Sequence, residues 1–252
     1  MKLNRFQAFG FHLLGSGAAA LVSSGLVFLV WYRWPLAAAT GVTEIFLLLL
    51  AVDVVMGPFM TLVVFNPAKK ELKRDLAVIL LLQICALLYG LYAVFVPRPV
   101  YLAFNVDRFD LIYANDLTNE KLRKVVDPRF QYVPLFGTEV IAARTPDSVK
   151  ARNDILFSAT AGSDDLPQMP QYYVPYQQLK VDVQKHIRPL QELKSFNAEK
   201  TAAIDTLASK YAAIPGGIGF VPLRGKVKDL TVIVRRDSAE VLEVEDFKPW
   251  RD

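Results

Sequence analysis

Apolar residues run almost unbroken over 11–31, 43–65 and 76–96 of this 252-residue chain; beyond position 97 they recur only in short alternating or helical patterns. A run of about 20 apolar residues is long enough to cross a bilayer as a helix. The pattern therefore predicts three transmembrane helices followed by a soluble part. In the soluble part, the apolar runs 100–106 and 140–143 read as strands, with a short helix at 116–126 closed by Asp127-Pro128 between them. Thr145-Pro146-Asp147 has the composition of a helix start, and Ala151, Ile155 and Ala159 give that helix one apolar face as far as Gly162. A second helical region begins at Tyr176, is kinked at Pro189 and ends at Pro215-Gly216-Gly217; short strands at 218–223, 230–235 and 240–245 close the chain. The expected architecture is a three-helix membrane domain over 1–97 and a small soluble α+β domain over 98–252, its antiparallel or mixed sheet covered by helices.

The second span carries the most information. It holds Asp53 near its middle and Gly57-Pro58 one turn later. A carboxylate at mid-membrane costs about 2 to 4 kcal/mol on insertion scales, so it should face other helices or a wet cavity. Pro58 has no N–H for the carbonyl of Val54, which places a carboxyl, a freed carbonyl and a close-approach glycine along one side of a kinked helix. In the first span Ser16, Ala20 and Ser24 are spaced by four, a ridge of small residues against which another helix packs closely. Counted from the ends of the spans on the soluble-domain side at about 1.5 Å per residue, Asp53 lies about 13 Å deep, Ser24 about 10 Å and Gln83 about 20 Å. Asp53 is thus expected to point into the bundle toward Ser23 or Ser24, with Gln83 as a second candidate. Packing within the bundle and a direct part in transport or catalysis both remain open for it.

Charge sets the expected orientation. Up to Val96 there are seven basic and four acidic residues, and beyond it 22 and 21. Four of the seven basic residues, Lys69, Lys70, Lys73 and Arg74, sit in the connection 66–75, which is thereby expected in the cytoplasm. The N-terminus, with Lys2 and Arg5, is expected on the same side, and the soluble part on the periplasmic side. The net charge of +4 is mostly topological and implies no nucleic-acid face. Ala37-Ala38-Ala39 resembles a signal-peptide cleavage site, but the apolar stretch before it is longer than a signal core and ends in Trp31, Tyr32, Arg33 and Trp34, so the first span is kept in the mature protein.

Candidate chemistry is sparse. Only His12, His186 and Cys85 represent histidine and cysteine, and the topology puts them in different layers, so neither a nucleophilic triad nor a metal site can be assembled. A pair of intramembrane carboxylates is lacking, since Asp53 stands alone deep in a span. Gly216, Gly217 and Gly219 end a helix rather than open one, which makes them a turn and not a phosphate loop. No cofactor and no enzymatic activity are expected. The stretch 163–175, with Pro167, Pro170 and Pro175, reads as an extended loop. Its Tyr172 and Tyr173, with the adjoining Tyr176, are candidates for contact with a partner, or else for packing over the domain's own sheet.

Across the first 110 residues, Asp53, Gly57-Pro58, Asn66-Pro67, Lys69-Lys70, Asp75, Gln83, Tyr89-Gly90, Arg98-Pro99 and Asp107-Arg108-Phe109 resemble, in order and spacing, the TfpX/TfpZ family of type IV pilin accessory proteins. The run Tyr172 to Tyr176, the stretch Val221-Pro222-Leu223-Arg224 and the terminal Pro249-Trp250 look like the family's later landmarks. The resemblance implies a multi-pass inner-membrane protein of a Gram-negative bacterium that assists pilus assembly or the stability of the major pilin. Its implied partners are that pilin, the assembly machinery and membrane lipid. The family carries no established reaction, so no catalytic residue is transferred. A different reading of the same residues is a transporter or sensor subunit in which Asp53 binds a proton or cation and the soluble domain binds a ligand.

Overall fold

A computed structural model describes residues 3–251; Lys2, one of the basic residues flanking the first span, lies outside them. Three helices are long and apolar enough to cross a membrane, namely Arg5–Trp31 (α1), Val42–Val64 (α2) and Leu72–Phe95 (α3). This is a membrane protein. Helix α1 starts ahead of its apolar run because Asn4 caps it: the Asn4 side chain accepts from the Gln7 amide at 2.8 Å while the Gln7 side chain accepts from the Asn4 amide at 3.0 Å. Helix α3 also starts early. Its first turn is charged, and the connection before it is braced by the ion pairs Lys69–Asp75 and Arg74–Glu71.

The chain divides into two compact units, one holding the residues up to Arg33 with Gly41–Val96, the other holding Trp34–Thr40 with the residues from Pro97 on. In the first unit, α1 and α3 both pack on α2. The three helices are tied together at one end. There the Tyr32 hydroxyl donates to the Val94 carbonyl at 2.6 Å, Trp31 lies 4.9 Å from Phe95, and Phe28 meets Phe46 edge-on at 5.4 Å.

The second unit is built on strands Pro99–Asn105 (β1), Arg108–Tyr113 (β2), Glu139–Ala143 (β3), Tyr173–Pro175 (β4), Ile218–Arg224 (β5), Leu230–Arg235 (β6) and Val241–Glu245 (β7). They form one mixed sheet in the order β4-β3-β1-β2-β5-β6-β7, with β1–β3 and β2–β5 parallel and the other neighbours antiparallel. Strand β2, which the sequence reading passes over, pairs with β1 across a two-residue turn, and β4 lies inside the proline-rich stretch. Helices Val149–Thr160 (α4), Lys180–Lys185 (α5), Leu190–Phe196 (α6) and Thr201–Lys210 (α7) cover the sheet. The cap of α4 is Ser148, not Thr145; the Ser148 side chain accepts from the Ala151 amide. At 116–126 only Asn119–Leu122 is α-helical. The region from Tyr176 breaks at the expected Pro189, where Arg188 exchanges both backbone hydrogen bonds with Phe220, and again at Asn197, whose side chain bonds the backbone of Lys248 in both directions at 2.9 Å.

Both faces of the sheet are buried, which is why β1 reads as an unbroken apolar run rather than an alternating one. One face carries a continuous core through Leu102, Phe109, Val221 and Val232, capped by Val183 of α5. The other face carries two clusters, one around Tyr101, Phe130 and Ile155, the other around Phe220, Leu193 and Ile204. The connection between α1 and α2 joins the first core. Leu36 and Ala39 are buried in it, the Val227 amide donates to the Ala39 carbonyl at 3.0 Å, and Gly225 has no room for a Cβ against the Lys228 carbonyl and Ala39. Leu36→Ala in the full chain should therefore destabilise the sheet unit by about 2 to 5 kcal/mol. Denaturant unfolding of the detergent-solubilised protein measures it; an unchanged midpoint would mean that the segment only rests on the surface.

Candidate functional site

Asp53 is the middle residue of α2, and the backbone around it is irregular for a reason that starts in the sequence. Residues Val52–Met56 form one turn of π-helix. In that register a carbonyl pairs five residues on, so the carbonyl of Asp53 faces position 58, where Pro58 has no N–H to give. The π turn thus moves the freed carbonyl from Val54, where α-helical spacing puts it, to Asp53. The missing donor comes from α3: Gln83 Nε2 donates to the Asp53 carbonyl at 2.9 Å. Gly57 makes room for this bond, because a Cβ there would collide with the Gln83 amide. Gly90 of α3 likewise admits Leu49 of α2. Gln83, the second candidate by depth, is the residue that reaches Asp53.

The Asp53 side chain has a different environment. It is 9% exposed, and its Oδ2 has no hydrogen-bond partner; Oε1 of Gln83 is also buried and unpartnered. Ser23 is buried on α1 and Ser24 half-buried, with no hydrogen bond from either to Asp53 among the described residues. Asp53 and Gln83 instead line a cavity of about 600 Å³ between α1 and α3, floored by α2. His12, Ser16 and Ala20 line its α1 wall, Leu80 and Ile84 its α3 wall. Pro58 and Gly57 are buried on α2. The cavity occupies the part of the unit away from the Tyr32–Val94 tie, so α1 and α3 meet at one end and part toward the other.

Thr61 is not singled out from the sequence, and His12 is considered there only for catalysis and metal binding, not for this site. Thr61 Oγ1 and His12 Nδ1 lie 2.5 Å apart and join α2 to α1. Spacing could have found both, since Asp53, Gly57 and Thr61 are four apart, and His12 extends the series Ser16, Ala20, Ser24 by one step.

The tyrosines of the proline-rich stretch are placed differently from an exposed contact. Tyr173 is buried, donates its hydroxyl to the Pro167 carbonyl at 2.5 Å and packs edge-on to Tyr101 and Phe130. Tyr176 is buried, donates to the Ala239 carbonyl at 2.5 Å and packs on Phe109. Tyr172 is half-buried against the same cluster as Tyr173. Prolines 167 and 170 open two 3₁₀ turns that fold the stretch back onto the sheet.

Among the described residues, no group of three or more His, Cys, Asp and Glu side chains is placed to hold a metal ion. In the sheet unit, Asp107, Arg108, Arg188, Arg224 and Trp250 surround a polar hollow of about 310 Å³ in which Trp250 donates to Asp229 at 3.0 Å. Beside it Asp110 is buried. Burial pushes its carboxyl above the ordinary carboxylate range against the opposing pull of Arg108 and Asn105. Replacing Gln83 by Leu should leave the Asp53 carbonyl without a donor and destabilise the helical unit by about 1 to 2 kcal/mol. Unfolding of the full chain in mixed micelles, followed by helical circular dichroism, checks this; equal stability would show that the bond adds nothing.

The family description "Fimbrial assembly protein FimB" matches residues 2–41. Over 217 residues, covering 85% of this chain and 84% of the relative, the sequence is 31% identical to "Fimbrial assembly protein, serogroup I" of Dichelobacter nodosus. A serogroup E1 protein of the same name and organism is 30% identical over the same length. The serogroup C1 and C2 form is 34% identical over 115 residues, 45% of this chain and 88% of that protein. No solved structure matches the chain.

Proposed function

The chain belongs to the fimbrial assembly protein family, and from that premise we propose that it is a non-enzymatic accessory factor of type IV pilus assembly, of the TfpX/TfpZ kind, that acts in the inner membrane by binding or stabilising the major pilin. The observation that carries the reading is the similarity over 85% of the chain, too long a match to be confined to either the membrane helices or the sheet unit. A factor serving a pilin subunit needs a surface within the bilayer and a folded domain on the side where the subunit's head emerges.

The proposed orientation puts the N-terminus and the basic connection 66–75 in the cytoplasm and the residues from Pro97 on in the periplasm. Two observations support it. Trp34–Thr40, between α1 and α2, shares a folded unit with the residues from Pro97 on, and one folded unit lies on one side of a membrane. The other connection holds Lys69, Lys70, Lys73 and Arg74, the composition that stays in the cytoplasm.

Deletion of the gene in its own strain should reduce surface pili by at least about tenfold while leaving pilin transcription unchanged, counted by electron microscopy and restored by the wild-type copy. Normal piliation in the deletion strain would overturn the reading. Alkaline phosphatase fused at the C-terminus should be active, and fused after Arg74 inactive; the reverse pattern would overturn the orientation.

A further inference from the structure

We propose that the groove between α1 and α3 is the docking site for one membrane-spanning helix of a partner protein, and that this helix carries near its middle a side chain that donates hydrogen bonds and accepts none, such as an ammonium. The proposal deepens the pilus-assembly reading by giving the partner's chemistry, and it rests on that reading only in taking the partner to be another membrane protein.

Three features of the groove select such an occupant. The first is shape. Its α1 wall runs from Ala8 to Ala20, which at about 1.5 Å per residue is an elongated trough parallel to a helix rather than a compact pocket. Phe11 and Leu80 at its rims are exposed, so the trough opens sideways, where a neighbouring helix arrives in a bilayer. The second is the material of the wall. Gly15, Ser16, Ala19 and Ala20 are small, and a Cβ added at Gly15 would meet nothing within 4 Å. Small residues at this spacing let two helix backbones approach closely, which is how helices associate where lipid offers no hydrophobic driving force.

The third is the pair of unanswered acceptors. Asp53 Oδ2 and Gln83 Oε1 are both buried without a partner, and both belong to residues that line the groove. Gln83 has already given its amide to the Asp53 carbonyl. Ionised opposite an ammonium, the Asp53 carboxylate offers acceptors only, as does Gln83 Oε1. A lipid tail would fill the volume and leave both oxygens unpaired. A helix bearing an ammonium fills the volume and supplies up to three donors to them.

The test uses the full-length protein in phosphatidylcholine vesicles with two synthetic membrane-spanning Leu/Ala helices of about 20 residues, identical except for Lys or Leu at the central position. Binding is read by fluorescence energy transfer to a label on the sheet unit. The Lys helix should bind about tenfold more tightly than the Leu helix, the ratio equivalent to one membrane-buried hydrogen bond of about 1.4 kcal/mol. Asp53→Asn should shrink that ratio. Ala20→Phe, which fills the groove at the level of Asp53, should abolish binding of both helices while the denaturation midpoint of the sheet unit stays unchanged. Equal binding of the two helices would overturn the proposal, as would binding insensitive to Ala20→Phe. So would no binding of either helix, which would give the groove to lipid, and so would energy transfer between labelled copies of this chain that Ala20→Phe removes, which would give it to a second copy. None of these outcomes depends on pili, so the groove and the pilus-assembly reading fail separately.

Discussion

The carbonyl of Asp53 has no donor on its own helix, and the arrangement of the helical unit follows from where its donor is found. An unpaired carbonyl in hydrocarbon costs several kcal/mol, because no water is there to take the hydrogen. Pro58 and the π turn create the vacancy and Gln83 fills it from α3. Gly57 is the residue that allows Gln83 to come so close. Four residues on two helices therefore act as one joint, which fixes the register of α3 against α2. Helix α1 is held to α3 at one end, by Tyr32, and is attached to α2 by the His12–Thr61 contact on the other side of Pro58. The gap left between α1 and α3 is the consequence of two separate attachments to the same helix.

The sheet unit solves a different problem. A seven-stranded sheet with both faces apolar needs cover on each, and the chain after Pro97 provides it with α4, α6 and α7 on one face and α5 on the other. The remaining cover for the continuous face comes from Leu36 and Ala39, residues drawn from between two membrane helices. Hence the sheet is not complete as a fragment starting at Pro97. The C-terminal tail is pinned to this unit by Asn197, which bonds Lys248, and by Asp229, which accepts from Trp250.

Legibility in the sequence followed the range of the interactions involved. The three spans were readable because crossing a bilayer imposes length and composition on each segment by itself. Strands β1, β3, β5, β6 and β7 were readable because their side chains alone match a buried strand. Strand β2 was not. Its hairpin turns at Val106 with φ of 57°, a conformation rare for a β-branched residue, so the Asn-Gly type of signal that marks a two-residue turn is missing. The sequence leaves Tyr173 and Tyr176 open between partner contact and packing on the sheet, because they sit among prolines and polar residues; what buries them is Tyr101, Phe130 and Phe109, distant in the chain. Asp53, Gly57, Pro58 and Gln83 were all recognisable as special, and depth alone ranked Ser24 above Gln83. Depth counts residues along straight helices and takes no account of which carbonyl a π turn releases.

The joint at Asp53 can be observed directly. With a ¹³C=¹⁸O label on the Asp53 carbonyl, isotope-edited infrared spectroscopy of the protein in bilayers isolates its amide I band. The Gln83 bond predicts that this band moves to higher frequency in Gln83→Leu, as a carbonyl does on losing a donor, and stays in place in Ser24→Ala. A band unmoved by Gln83→Leu would contradict the account, because the carbonyl would then be paired by something other than α3.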